Sequence, residues 1–346
     1  MFKNFLISQE DSLKDALKLI TKNGCKTVVV VKKNTFLGTL SDGDIRKAVL
    51  NKNNLNKKII KFYNRNSIFL KKNSYTSTEV QKIFLKNNLD LIPVIDNQKN
   101  LYKILTWKEI FNTERKIKKI QIPVIIMAGG LGKRLLPVTS VLPKPLIPIK
   151  GKPVIDYILE NFKNGGFYKF NFVINYFSQI VKAYLIGNKY DKNFNFFTEK
   201  IPLGTIGGIR LLRFKEKNVL VSNCDVVFKV DYADFVKFHT SNKNDITIAG
   251  SHKNIIIPYG VCHLNSLGNL SQIDEKPSFD LLVNSGLYLI KKEVISLIPK
   301  NQKVEFTDFI KTCLKLNKKI GVYPILENQW IDMGQWNEYQ KAVENL

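Results

Sequence analysis

The spacing of apolar residues changes character several times along the chain. Leu13, Ala16, Leu17 and Ile20 recur at intervals of three and four, which marks one face of a helix. The run "TVVVV" follows; it is short and β-branched, and reads as a strand. A turn, a second strand and the polar segment "SDGD", which opens another helix, complete the unit. The same order returns further on. Val80, Ile83 and Phe84 mark a helical face, "LIPVI" a strand, and "LTWKEI" the end of a second strand and the start of a helix. The pattern predicts a repeated helix–strand–turn–strand–helix unit over residues 1–118, with copies at about 1–60 and 61–118. "NTERKIKKIQIP", Asn112 to Pro123, is polar and charged, and reads as a linker or the end of a connecting helix.

From Pro123 the pattern becomes a regular alternation. "PVIIMAGG" is a buried strand that meets a glycine turn, and "VIDYILENFKNGG" an amphipathic helix stopped by two glycines. "YKFNFVINYF" is a strand, "SQIVKAYLIGN" a helix ending at a glycine, "NVLVSNCDVV" a strand and "YADFVKFHT" a helix. This predicts an α/β domain over residues 119–346 with a mostly parallel central sheet. In such sheets ligands sit beyond the carboxyl ends of the strands, where Gly129 and its neighbours fall.

Composition narrows the function classes. A chain of 346 residues, 44% hydrophobic, can build two cores. The net charge is +25, from 54 basic and 29 acidic side chains. Because the lysines are scattered rather than gathered into one block, they read as solvated faces. No nucleic-acid partner is expected, although part of the excess can steer phosphorylated substrates inward. Cys25, Cys224, Cys262 and Cys313 form no C-x-x-C pair, so reduced thiols are expected rather than a zinc site. His239, His252 and His263 fall in no motif and read as surface or satisfied positions, and no G-x-S-x-G elbow is present. The first residues meet charge too early for a signal peptide, and no apolar run approaches the roughly 20 residues of a membrane span. A cytoplasmic protein with no membrane partner is expected.

The stretch "VIIMAGGLGKRLLPVTSVLPKPLIPI" carries the chemistry. Gly129, Gly130 and Gly132 let backbone N–H groups approach a phosphate with no Cβ in the way. The loop lacks the G-K-[ST] ending of a P-loop and the G-x-G-x-x-G of dinucleotide-binding folds. Its distinguishing feature is fixed positive charge: Arg134 close behind, and Lys144 held between Pro143 and Pro145. Two such cations suit a triphosphate whose α-phosphate gains charge during substitution.

These motifs strongly resemble those of the sugar-1-phosphate nucleotidyltransferases. Their signature, L-A-G-G-x-G-T-R-L-x-P-L-T followed by P-K-P-L-x-P, is matched by "MAGGLGKRLLPVT" and "LPKPLIPI", with Met127 for Leu and Lys133 for Thr. The resemblance runs from about Pro123 to the end of the chain. It implies a Rossmann-like domain in which Ala128, Gly129, Gly130, Gly132 and Lys133 meet the nucleotide, while Arg134, Lys144 and Asp225 are catalytic. "EKIPLGTIGGI" looks like the family's P-L-G-T-A-G segment, which implies that Pro202, Gly204 and Thr205 lie against base and sugar. Glu199 stands where relatives read a nucleobase edge; a carboxylate there accepts from guanine N1–H and N2–H₂, which favours GTP. Asp225, behind Cys224 in "VSNCDVV", matches a Mg²⁺-binding Asp, and Asp332 in "WIDMGQW" the second metal carboxylate. Tyr259 and Gly260 of "PYGVCHL", Glu275 and Lys276 of "IDEKP" and Asn284 of "LVNSGLYLI" would meet the sugar and its phosphate, and Gly286 would mark a close approach of chains. "EFTD", Glu305 to Asp308, matches a family segment or caps a helix.

The repeated N-terminal unit resembles a tandem CBS-domain module of α+β type. In CBS modules that bind adenine nucleotides, a Ser or Thr three residues before an Asp contacts phosphate and ribose. Ser41 and Asp44 of "GTLSDGDIR" fit, which implies AMP or ADP as a regulator; Thr106 and Glu109 of the second copy carry Glu for Asp. The same "SDGD" also suits a turn and a helix cap. CBS pairs self-associate, so a homo-oligomer is expected. The fusion as a whole resembles the glucosamine-1-phosphate guanylyltransferases of bacterial legionaminic acid biosynthesis, which implies glucosamine 1-phosphate as acceptor. A mannose-1-phosphate guanylyltransferase, a thymidylyl or uridylyl relative, and a catalytically silent nucleotide-sugar sensor signalling through the CBS pair remain open alternatives.

Overall fold

A computed structural model of the chain describes residues 2–51, 53–87, 89–111, 118–187 and 194–345. It divides into two compact units, Met1–Lys116 and Ile117–Leu346. Residues 112–117 of the expected linker, and Asn188 at the end of "SQIVKAYLIGN", lie outside the described residues.

The first unit contains the same arrangement twice. Strand β1 (Leu6–Ser8) pairs in parallel with β2 (Thr27–Lys32), which pairs antiparallel with β3 (Thr35–Ser41); α1 (Leu13–Asn23) and α2 (Asp42–Leu50) complete the copy. The second copy has β4 (Leu70–Lys71), α3 (Ser77–Asn87), β5 (Leu91–Ile95), β6 (Leu101–Thr106) and α4 (Trp107–Phe111), with β4 again parallel to its neighbour. The leading strands β1 and β4 are too short to show a period of two, so the pattern does not reveal them.

Each of the four helices begins with the same local device. A hydroxyl accepts from the backbone N–H three residues on, and the acid there accepts back: Ser12 with Asp15, Ser41 with Asp44, Thr76 with Glu79, Thr106 with Glu109. Asp44 N donates to Ser41 Oγ at 3.2 Å and Ser41 N to Asp44 Oδ2 at 3.0 Å. Ser41 and Asp44 therefore act on each other as the cap of α2, with the bonds to the carboxylate made at Oδ2. Asp44→Ala is expected to cost about 1 kcal/mol of stability through the lost cap, read as a lower urea midpoint.

The second unit is built on a seven-stranded sheet. In chain order its elements are β7 (Val124–Ala128), the short pair β8 (Pro148–Ile149) and β9 (Lys152–Pro153), α5 (Val154–Asn164), β10 (Phe170–Ile174), α6 (Ser178–Gly187) and β11 (Phe194–Thr198). There follow β12 (Asn218–Asn223), β13 (Val226–Phe228), α7 (Tyr232–Ser241), β14 (Ile246–Ile256), β15 (Val261–Leu264), β16 (Leu270–Asp274) and β17 (Ser278–Lys291). The last elements are α8 (Lys292–Ile295), α9 (Phe306–Lys315), β18 (Ile320–Ile325), β19 (Trp330–Asp332) and α10 (Trp336–Asn345). The sheet order is β11-β10-β7-β12-β17-β14-β18, and only β17 runs against its neighbours. The fold is thus α/β with a mostly parallel central sheet, preceded by an α+β unit.

Both faces of the sheet are covered. Ile155, Leu159 and Phe162 of α5 pack with Phe172 and Leu220 on one side. Ile209, Phe306 and Phe309 pack with Val173, Val221 and Tyr288 on the other. Burial on both faces explains why "FNFVI" of β10 shows no apolar–polar alternation. No helix among the described residues is long and apolar enough to cross a membrane.

His239 lies on α7 and is only 1% exposed, so it is not a surface residue. Its Nδ1 is 2.8 Å from Thr247 Oγ1, while its Nε2 has no hydrogen-bond partner among the described residues. Burial, helped by the nearby Lys291 charge, pushes the imidazole down to about 4. Between that value and the ordinary 6.5, the unfolded chain takes up a proton that the folded chain refuses. This part of the stability is complete above pH 6.5 and is lost as pH falls toward 4. Lowering the pH from 7 to 5 is expected to cost about 2 kcal/mol through this residue. His239→Gln, which cannot titrate, should show a shallower fall in unfolding midpoint over that range; identical slopes would contradict the assignment.

Candidate active site

Strands β10, β7 and β12 run parallel and adjacent, so their carboxyl ends open on one edge of the sheet. Ala128 is the buried last residue of β7, and the glycine loop begins beyond it. Gly132 has φ +64°, and a Cβ there would lie 2.7 Å from Thr139 Cγ2; Thr139 Oγ1 donates to Gly132 O at 2.9 Å. Only glycine closes this turn without strain. Lys133 and Arg134 follow on an exposed 3₁₀ turn.

A cavity of about 610 Å³ lies at this edge. Gly129, Gly130, Gly132, Lys133, Arg134 and Lys144 line it from the loop region. Glu199, Pro202, Gly204 and Thr205 line it from the segment after β11, and Asp225 from the turn after β12. The structure thus gathers most of the expected nucleotide-side residues around one space.

Four residues absent from the sequence reading also line it: Asn175, Tyr176, Asn223 and Lys303. Asn175 and Asn223 lie at the carboxyl ends of β10 and β12, so the rule that singled out Gly129 could have found them. Lys303 carries no signal of its own. The segment 302–305 reaches the cavity because it is bonded to the glycine segment: Val304 N donates to Leu203 O at 2.9 Å and Ile206 N to Val304 O at 3.2 Å. Gly204 has φ +80°, and a Cβ there would stand 2.5 Å from Val304 O. Glu305 sits at the N-cap of α9, yet its side chain makes no capping bond. Thr205 Oγ1 accepts from Phe306 N at 2.7 Å instead; Glu305 lines the cavity, and its Oε1 lies 3.5 Å from Lys303 Nζ.

Lys144 Nζ forms an ion pair with Asp225 Oδ2, and both side chains are largely buried. Burial works against the ammonium, but the Asp225 carboxylate outweighs it and holds Lys144 above the ordinary lysine range. Asp332 comes to the same place through strand pairing: β19 lies antiparallel to β13 with Asp332 opposite Val226, and Met333 N donates to Asp225 O at 2.9 Å. A Cβ on Gly334 would stand 2.7 Å from Asp225 Oδ2, 2.9 Å from Asp332 Oδ1 and 3.4 Å from Lys144 Nζ, so three charged groups surround one point. Burial, and then the neighbouring Asp225, raise the Asp332 carboxyl above its ordinary value. Among the described residues no third His, Cys, Asp or Glu joins the pair. Two hard oxygen donors suit a cation that takes its remaining ligands from phosphate and water.

Glu199 is 6% exposed and wedged between glycines: a Cβ on Gly129 would lie 3.1 Å from its Oε2, and one on Gly208 2.2 Å from its Oε1. Oε2 accepts a long bond from Leu203 N at 3.5 Å, and Oε1 has no hydrogen-bond partner among the described residues. Burial raises the carboxyl above its ordinary value, against the stabilising pull of Leu203 N–H and the Asn175 amide.

The expected sugar-side residues are not part of this cavity. Tyr259 and Gly260 precede β15, and Glu275 and Lys276 follow β16, so the two pairs share one end of an exposed ribbon. A Cβ on Gly260 would lie 3.1 Å from Glu275 Oε2. Asn284 lies on β17 opposite Gly250. It is tied to the cavity through Gly286, whose φ is +87° and where a Cβ would stand 2.5 Å from Asn223 Nδ2.

Residues 1–51 match the CBS domain family. A D-glycero-alpha-D-manno-heptose 1-phosphate guanylyltransferase of Aneurinibacillus thermoaerophilus is 30% identical over 226 residues, 64% of this chain and 97% of that protein. A Campylobacter jejuni protein of the same name is 28% identical over 64% of this chain and 98% of its own. The crystal structure of HddC from Yersinia pseudotuberculosis superposes with a TM-score of 0.52 at 26% identity, over 65% of this chain and 99% of that one. Residues 123–346 match the nucleotidyl transferase family. With that match spanning the whole sheet and the cavity at its edge, the chain belongs to the nucleotidyl transferase family and is an enzyme that transfers a nucleotidyl group to a sugar 1-phosphate.

Proposed function

We propose that the chain transfers the guanylyl group of GTP to a sugar 1-phosphate, giving a GDP-sugar and pyrophosphate. The observation that carries the choice of GTP is Glu199: a buried carboxylate in the cavity wall with an unbonded oxygen. Guanine offers the paired N–H donors that such a group lacks. The names of the two relatives, both guanylyltransferases, point the same way, and a second HddC structure (25% identical, TM-score 0.51) is a complex with GMP-PN.

The sugar phosphate oxygen attacks the α-phosphorus in line and pyrophosphate leaves. The nucleophile is already anionic, so no general base is needed, and catalysis rests on positioning and charge neutralisation. Backbone N–H groups of Gly129–Gly132 cradle the polyphosphate. Arg134 neutralises the leaving pyrophosphate, and Lys144, held by Asp225, faces the α-phosphate or the sugar phosphate. Asp225 and Asp332 would hold Mg²⁺, which supplies further charge neutralisation at the reacting phosphates. Tyr259, Gly260, Glu275, Lys276 and Asn284 would meet the acceptor from the ribbon side.

Glucosamine 1-phosphate is the favoured acceptor because of the CBS fusion; the relatives' names add heptose and mannose 1-phosphates. The reaction belongs in the cytoplasm, where nucleoside triphosphates are available. Four NTPs against these sugar phosphates, with Mg²⁺ and pyrophosphate as readout, test the reading. GTP is expected to be the fastest donor; a faster rate with UTP or dTTP would overturn the guanylyl assignment.

A further inference from the structure

Strands β14 and β17 outrun the central sheet. Beyond Ser251, β14 no longer pairs with β18, and the pairs from His252↔Leu282 to Ile256↔Ser278 form a two-stranded stem. The ribbon β15–β16 continues it. The ribbon has unlike faces; on the stem Ile256 and Leu282 share the side of His252 and Asp280. On the stem, His252 lies 3.4 Å from Asp280 Oδ1 and Asn254 Nδ2 donates to the same oxygen at 2.8 Å. The cross-strand register puts Ile255, Phe279 and Leu281 on the opposite face, together with Lys253 at its inner end. On the ribbon, His263 Nε2 is 2.8 Å from Asp274 Oδ2 and Gln272 Nε2 donates to Asp274 Oδ1 at 2.5 Å. Cys262, Leu264, Leu270 and Ile273 occupy the other face.

The apolar side is bare. Exposure runs from 44% for Leu281 to 84% for Leu267 at the ribbon's tip, with Leu264, Leu270 and Ile273 between. Together with Ile255 and Phe279 these side chains leave on the order of 700 Å² of apolar surface uncovered, more than a soluble monomer usually shows in one patch. That area is close to the ~800 Å² that each partner brings to a standard interface. An isolated two-stranded ribbon is also only marginally stable in water. Charge points to the occupant. Residues 252–282 hold two lysines, Lys253 and Lys276, and three acidic residues, in a chain of net charge +25. Two copies of so basic a chain repel each other over much of their surface, but not here. A two-fold axis needs only a face that matches itself, which an apolar stripe and the free edges of β15 and β16 provide.

We propose that a second copy of this chain packs on the apolar face of the β15–β16 ribbon and its β14–β17 stem. The contact would also steady the ribbon end that carries Tyr259–Gly260 and Glu275–Lys276. Cys262 lies on this face and is the exposed cysteine, whereas Cys25 is half-buried and Cys224 and Cys313 are buried. A two-fold contact therefore brings the Cys262 thiols of two protomers near each other.

Analytical ultracentrifugation of the full chain at micromolar concentration is expected to give twice the 39.8 kDa chain mass. The surface variant Leu270→Glu/Ile273→Glu should sediment at the single-chain mass with unchanged circular dichroism. A short bismaleimide should cross-link the wild type and fail with Cys262→Ser. A monomeric wild type, a double variant that stays dimeric, or a dimer that does not cross-link through Cys262 would each overturn the proposal.

Discussion

Asp225→Asn is expected to lower turnover by about 10³-fold while the protein stays folded. The change is isosteric. Asn keeps an oxygen that accepts from the Lys144 ammonium, so the buried partner is not left without a hydrogen bond. What disappears is the charge that stands with Asp332 around one point beside the cavity. Asp225→Ala would confuse the result, because an unpaired buried cation typically costs about 3–5 kcal/mol of stability. Arg134→Ala serves as the companion variant. Arg134 is exposed at the cavity, so its loss should lower kcat by about 10²-fold or more with no change in unfolding midpoint. Pyrophosphate release at saturating substrates reads both. Near-normal turnover in both would contradict the site.

Glu199→Gln is expected to change the preferred nucleotide. A carboxylate offers two acceptors, which suits guanine N1–H and N2–H₂. A carboxamide offers one acceptor and one donor, which suits the N3–H and adjoining carbonyl of uracil. The GTP kcat/KM should fall by about 10²-fold and the UTP value should rise. Because burial already works against the charged form of Glu199, the neutral replacement should not destabilise the fold. An unchanged GTP-to-UTP ratio would show that Glu199 does not face the base.

The long elements were legible because their residues repeat at helical or strand spacing over many positions, as α1 and α5 do. Strands β1 and β4, three and two residues long, are set by pairing with their neighbours and leave no pattern. The glycine loop and Lys144 were visible as chemistry, since glycine and proline act on their own backbone. Asp332 was different. Its approach to Asp225 depends on the pairing of β19 with β13, which no spacing reveals, and only the family resemblance singled it out. Lys303 and the cavity-facing role of Glu305 were hidden because backbone bonds between distant segments put them there. His239 reads from the sequence as surface or satisfied, yet one face of α7 is buried and only one ring nitrogen finds a partner among the described residues.

The central claim is that the cavity directs attack to the α-phosphorus of a nucleoside triphosphate. The most direct measurement follows label from two positions of GTP incubated with a sugar 1-phosphate and Mg²⁺. The γ label is expected to leave in pyrophosphate and the α label to enter the nucleotide sugar. Release of γ label as inorganic phosphate, or no transfer of α label to any sugar phosphate, would contradict it.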